Sequence, residues 1–221
     1  MAAVGLLYVG AVLFVNGLAL VGLVRGTSMI PMNLFVGILQ VVTPFYLIFT
    51  AHGDQGVIVG ASGLFLFGFT YLYVAMNNAF SLDGTGLGWF CLFVAIAACV
   101  YSYWNFANYA ALSPGDHDVG YLLGVLWASW AVLWLLFWFV LGLGKTGLTR
   151  FTGAWCAAQG IYTGLVPAII LLNIPSAITS TLPIVIGAVS LATFIIFLVM
   201  LKPRWAAVDA VAPPPTAYSG A

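Results

Sequence analysis

Residues 181–204 read TLPIVIGAVSLATFIIFLVMLKPR: an uninterrupted apolar run with no charge, ended by Lys202 and Arg204. About twenty such residues are what an α-helix needs to cross the hydrocarbon core of a bilayer. Working back from it, runs of the same kind recur at roughly 3–24, 32–51, 56–78, 88–109, 119–142 and 152–173. The breaks between them hold turn-forming residues, such as Arg25-Gly26-Thr27-Ser28, His52-Gly53-Asp54-Gln55-Gly56 and Asp83-Gly84-Thr85-Gly86. A transmembrane barrel would need short alternating segments instead. The expected fold is therefore an all-α, polytopic transmembrane bundle of seven spans.

Composition agrees. Apolar residues make up 64% of the 221 and charged residues 5%, against about a quarter charged in soluble domains. Residues 1–24 lack a basic leading segment and a small-residue cleavage site, so they read as a retained first helix. Cys91, Cys99 and Cys156 all fall inside apolar runs, which suits packing and fits neither a disulfide framework nor a zinc site. A net charge of zero excludes a nucleic-acid surface, and no cofactor-binding cluster is found.

Charge placement sets the expected orientation. With seven spans, Arg25, Lys145, Arg150, Lys202 and Arg204 all fall on one side, while the opposite loops hold His52, Asp54, Asp116, His117 and Asp118. Basic loops stay in the cytoplasm, which puts the N-terminus outside and the C-terminus inside. Without the last span, Lys202 and Arg204 would be stranded outside. Residues 1–202 form the expected membrane domain and 203–221, with Pro213-Pro214-Pro215, a disordered cytoplasmic tail.

Function must then reside within the bilayer. Three helical stripes stand out: Leu6, Val9, Leu13 and Asn16; Phe67 and Tyr71; and Trp127, Trp130 and Trp134 with Leu133. These spacings stack side chains on one helical face. Such stripes are usually packing surfaces, and tryptophans near span ends are usually interfacial anchors. Trp130 and Trp134 lie inside their span, however, and a buried indole N–H wants a partner, which a lumen carrying hydrogen-bonding solutes would supply. Asn16, Gln40, Thr70, Asn77, Gln159 and Thr163 are uncharged polar residues at depth, suited to gluing helices together. The spans carry no Asp, Glu, Lys, Arg or His suited to ion coupling, unlike pumps and coupled carriers, so the expectation is a passive route for a neutral solute.

Leu6-Leu7-Tyr8-Val9-Gly10, Asn16-Gly17, Met32-Asn33-Leu34-Phe35-Val36-Gly37 and Leu66-Phe67-Gly68-Phe69-Thr70-Tyr71-Leu72-Tyr73 resemble the urea channel and amide transporter (AmiS/UreI) family. So do Leu92-Phe93-Val94-Ala95-Ile96, Trp127-x-x-Trp130-x-x-Leu133-Trp134 and Gly160-x-x-Thr163-x-x-x-Pro167-Ala168. The resemblance implies six family helices with a pore in each protomer, a homo-hexameric ring, and selection of small planar amides at two constrictions. It assigns Leu6, Val9, Leu13, Asn16, Phe67, Tyr71, Trp127, Trp130, Leu133 and Trp134 to the pore wall, with Tyr71 and Asn16 as hydrogen-bonding groups. Family context further implies a bacterial inner membrane and service to a cytoplasmic amidase or urease.

Departures from the pattern refine the expectation. Acid-gated urea channels have histidine-rich outer loops, whereas only His52 and His117 occur here, and Gln159, which the resemblance adds to the pore lining, stands where those channels have a glutamate. Both differences favour a pH-ungated route for short aliphatic amides such as acetamide, or for urea. The helix at 180–201 is an addition to the six-helix plan. A retinal protein would need a lysine deep in the last helix, and Lys202 lies at its end. A non-transporting membrane scaffold or subunit is the competing class, and no motif excludes it; an enzyme is disfavoured because no catalytic cluster is present.

Overall fold

The computed structural model describes residues 2–108 and 117–205. These residues are all helical apart from turns, and they supply seven helices long and apolar enough to cross a membrane. The first five spans are built on α1 (Ala2–Leu20), α2 (Ile30–Phe49), α3 (Gln55–Phe80), α4 (Thr85–Asn108) and α5 (His117–Phe137). The sixth runs over Thr146–Asn173 and contains α6 (Thr149–Gln159), a π-helical stretch (Gly160–Leu165) and α7 (Val166–Asn173). The seventh is α8 (Thr181–Leu201). Ser113, Pro114, Gly115, Asp116 and the tail from residue 206 onward lie outside the described residues, as does the side chain of His117.

Local chemistry accounts for the boundaries. Asp54 caps α3 by accepting a hydrogen bond from the Val57 amide at 3.1 Å. Asp83 does the same service before α4, taking the Thr85 amide at 2.7 Å as well as the Thr85 hydroxyl. Those bonds to its charged form hold the Asp83 carboxyl below its usual range. α3 ends at Ser81 and α8 at Lys202, both in the left-handed region.

Proline acts in two ways. Pro44 sits inside α2, and lacking an N–H it leaves the Gln40 carbonyl, four residues back, without its usual donor. Gly68 of α3 packs against that carbonyl, where a Cβ would come within 3.0 Å. Pro167 lies within the sixth span just after the π-helical stretch, so its missing N–H falls where the α-helical bonding pattern is already interrupted.

The bundle holds together through close backbone contact and buried polar pairs. α1 lies against the sixth span, α2 against α3, and α4 against α5. A Cβ on Gly10 would stand 2.6 Å from the Gly160 carbonyl oxygen, so glycine alone permits this approach. Cys156 donates to the Leu13 carbonyl at 3.3 Å, and the three cysteines are free, with Cys99 on the exterior. Outward-facing Phe35, Phe49, Phe93, Ile96, Leu191 and Val199 are exposed, the inverse of a soluble surface and the pattern that lipid favours. α8 is the least buried span; Pro183, Ile186 and Ser190 are its buried residues.

Candidate functional site

α1, α3 and α5 turn their striped faces toward one another and enclose two cavities, one toward each end of the bundle. The first, about 490 Å³, is lined by Leu6 and Val9 of α1, Phe67 of α3, and Trp127 and Trp130 of α5. It lies toward the end that carries Gly56 and Val119. The second, about 300 Å³, is lined by Leu13, Asn16, Phe67, Tyr71, Trp130, Leu133 and Trp134. It reaches Met29, Asn78 and Gly84, near the loops that hold Arg25 and Asp83.

Phe67 and Trp130 line both cavities. Phe67 is ringed by indoles: its centroid lies 5.5 Å from Trp127, 4.9 Å from Trp130 and 4.7 Å from Trp134. The Trp130 contact is edge to face at 85°, the geometry in which a positive ring edge meets a negative face. Tyr71 follows one turn along α3, 6.3 Å from Phe67. An aromatic partition thus separates the two spaces.

Ten of the eleven residues assigned from sequence line one cavity or the other. Gln159 lines neither. It is fully buried on the sixth span behind α5, where its Nε2 donates to the Ser129 carbonyl at 3.3 Å. Two expected hydrogen-bonding roles also change. The Trp130 indole finds its partner inside the protein, donating to the Thr163 hydroxyl at 3.0 Å, so no lumen is needed to satisfy it. Asn16 forms a reciprocal carboxamide pair with Asn33 of α2, at 2.9 and 2.6 Å, and Asn33 also donates to the Met29 carbonyl.

Several lining residues escaped the reading by stripes. Tyr101 and Asn105 of α4 line the larger cavity, and their i, i+4 spacing was the available signal. The Tyr101 ring stacks on Trp127 at 4.7 Å and 20°, and its hydroxyl meets Ser62 Oγ at 2.7 Å. Gln40, read as helix glue, lines the larger cavity; its Nε2 donates to the Gly5 carbonyl at 3.0 Å while its Oε1 has no protein partner. In the smaller cavity the Tyr71 hydroxyl and Asn77 Oδ1 likewise have none. Among the described residues that line either cavity, none is Asp, Glu, His, Lys or Arg.

Chemically, these are apolar slots with flat ring walls and a few uncharged polar groups. They suit neutral solutes and offer no ligand set for a cation; among the described residues no His, Cys, Asp and Glu cluster could hold a metal. Fold and cavities together define a polytopic helical membrane transporter. The family model described as AmiS/UreI family transporter matches residues 1–175, and the chain belongs to that family. A Mycolicibacterium smegmatis protein named as a transporter of amidate substrates is 45% identical over 219 residues, covering 99% of this chain and 98% of its own. The transporter protein AmiS2 of Rhodococcus erythropolis is 49% identical over 78% of this chain and 80% of its own. The closed-state structure of the Helicobacter pylori urea channel is 35% identical, with a TM-score of 0.68, covering 78% of this chain and 97% of that one. Members of this family are transporters or channels rather than enzymes.

Proposed function

We propose that this chain is a passive, pH-ungated channel for small neutral amides, short aliphatic amides such as acetamide or urea, through the paired cavities of each protomer. The observation that carries the reading is the pair itself: two uncharged cavities at opposite ends of one bundle, sharing the Phe67–Trp130 partition. Relatives named for amidate substrates and for urea support the same solute class.

Stripping an amide of water without replacement costs roughly 2–7 kcal/mol. Gln40 on one side, and Tyr71 and Asn77 on the other, are uncharged polar side chains of the lining that can offset part of that cost. Indole and phenyl walls admit a flat solute edgewise, and an ion crossing them would lose its hydration with no countercharge. Among the described residues, the lining holds no histidine or carboxylate through which a gate would act.

The chain is read with Arg25, Lys145 and Lys202 on the cytoplasmic side of a bacterial inner membrane, as a homo-hexamer feeding a cytoplasmic amidase or urease. Stopped-flow flux of urea and acetamide into liposomes at about pH 5 and about pH 7.5, across which histidine titrates, tests the proposal. Comparable rapid flux at both values is expected. No flux above empty liposomes would overturn it in favour of a membrane scaffold.

A further inference from the structure

The family match ends at residue 175, before the seventh span begins at Thr181. That span is nevertheless joined to the partition between the cavities. α8 presents Ser190 to the bundle: its Oγ lies 3.1 Å from Ser129 Oγ of α5, and its carbonyl accepts the Trp155 indole N–H at 3.3 Å. Ser129 directly precedes Trp130, and the Ser129 carbonyl accepts Gln159 Nε2 at 3.3 Å. The Gln159 carbonyl in turn accepts the Thr163 hydroxyl at 2.6 Å, and Thr163 Oγ1 accepts the Trp130 indole N–H at 3.0 Å. Ser190, Ser129, Gln159 and Thr163 are all buried.

Thr163, Gln159 and Ser129 close a circuit around the Trp130 side chain, and Ser190 joins it at the Ser129 hydroxyl. Trp130 is held at its ring through Thr163, which lies in the π-helical stretch of the sixth span. Its backbone neighbour Ser129 is held from the other direction by Ser190. Away from water such bonds have few competitors, and π-helical stretches recur at functional sites. Thr193 belongs to the same cluster, since its hydroxyl donates to the Ser190 carbonyl at 3.0 Å and meets the Tyr162 hydroxyl at 3.1 Å; Ile186, buried one turn earlier on α8, docks the helix through apolar packing alone.

We infer that α8, through Ser190, is a positioning element for Trp130, setting the pose of the ring that divides the two cavities and thereby the discrimination among amides by size. Its functional consequence rests on the channel reading above. Ser190 and Ser129 are positioning residues; neither lines a cavity.

The test uses full-length protein in liposomes with Ser190→Ala, Ser129→Ala, the double variant, and Ser190→Thr, which keeps a hydroxyl. Ile186→Val, which trims an apolar docking contact of α8, serves as the docking control. Two quantities are read: the urea-to-butyramide flux ratio, and the Raman band of the Trp130 indole N–H, isolated by difference against Trp130→Phe. Ser190→Ala and Ser129→Ala should each move the ratio about two- to threefold, the typical worth of one interhelical hydrogen bond in a membrane protein. The double variant should move it no further, Ser190→Thr should retain the native ratio, and the indole band should shift in the alanine variants. Ile186→Val should change neither quantity. An unchanged ratio and band in folded Ser190→Ala, or an equal response in Ile186→Val, would overturn the inference. If the native protein carries no flux, the channel reading falls, and the indole band alone decides whether α8 positions Trp130.

Discussion

The rings of Phe67 and Trp130 meet edge to face with centroids 4.9 Å apart, and these two side chains are common to the cavities on either side. Phe67 also touches Trp127 and Trp134, so one phenyl ring is the hub of the aromatic partition. A solute passing between the cavities must displace or slide along these faces.

Phe67→Ala should therefore merge the two spaces and raise butyramide flux relative to urea. Trp134→Ala, which widens the smaller cavity, should shift the ratio the same way. Truncating a buried phenylalanine costs about 3–5 kcal/mol of stability, so insertion and folding are checked alongside flux. Unchanged relative fluxes for urea, acetamide and butyramide in folded variants would show that the partition does not select.

Asn33→Leu should leave the Asn16 carboxamide without its partner. The pair is buried, so the loss should lower stability by about 1–3 kcal/mol, read from unfolding in detergent. The freed Asn16 lines the smaller cavity, and it should then hold amides more tightly, lowering the concentration at which flux saturates.

Gly10→Ala places a methyl group 2.6 Å from the Gly160 carbonyl oxygen. Backbone cannot yield as a side chain can, so α1 must move away from the sixth span. A loss of roughly 1–3 kcal/mol is expected, measured as a lower unfolding midpoint. A midpoint equal to the native one would mean that these two helices do not pack as described.

Acid should act on stability before it acts on flux. The Asp83 carboxyl is held below its usual range by the Thr85 hydroxyl and amide. A depressed folded value gives stability that is present above the unfolded carboxylate value, about pH 4, and is lost as pH falls through the folded one. Flux should thus stay level from about pH 7.5 to about pH 5. Asp83→Asn should be less stable than native at neutral pH and converge with it in strong acid. A native protein whose flux changes between those two values would point to His52 or His117 as a gate.

Much of this molecule was legible along the chain because the bilayer imposes its demands locally. Runs long enough to span, turn residues between them and the helical stripes on α1, α3 and α5 are all properties of neighbouring residues. Those stripes led to ten side chains that do line the cavities. Gln159 lines neither cavity, and a position inherited from a family pattern says nothing of rotation about the helix axis. The protein partners of Trp130 and Asn16 were not legible along the chain because Thr163 and Asn33 lie 33 and 17 residues away.

By itself, the sequence determined that the chain is a seven-span helical membrane protein with uncharged spans, since apolar length and charge placement are sums over contiguous residues. Only the tertiary structure decided that the stripes enclose two cavities rather than one, that Phe67 and Trp130 divide them, and that Ser190 of the last span reaches the partition. Each of those facts depends on which faces meet across the bundle. Close glycine contacts and single long-range hydrogen bonds set that meeting, and neither leaves a periodic trace along the chain.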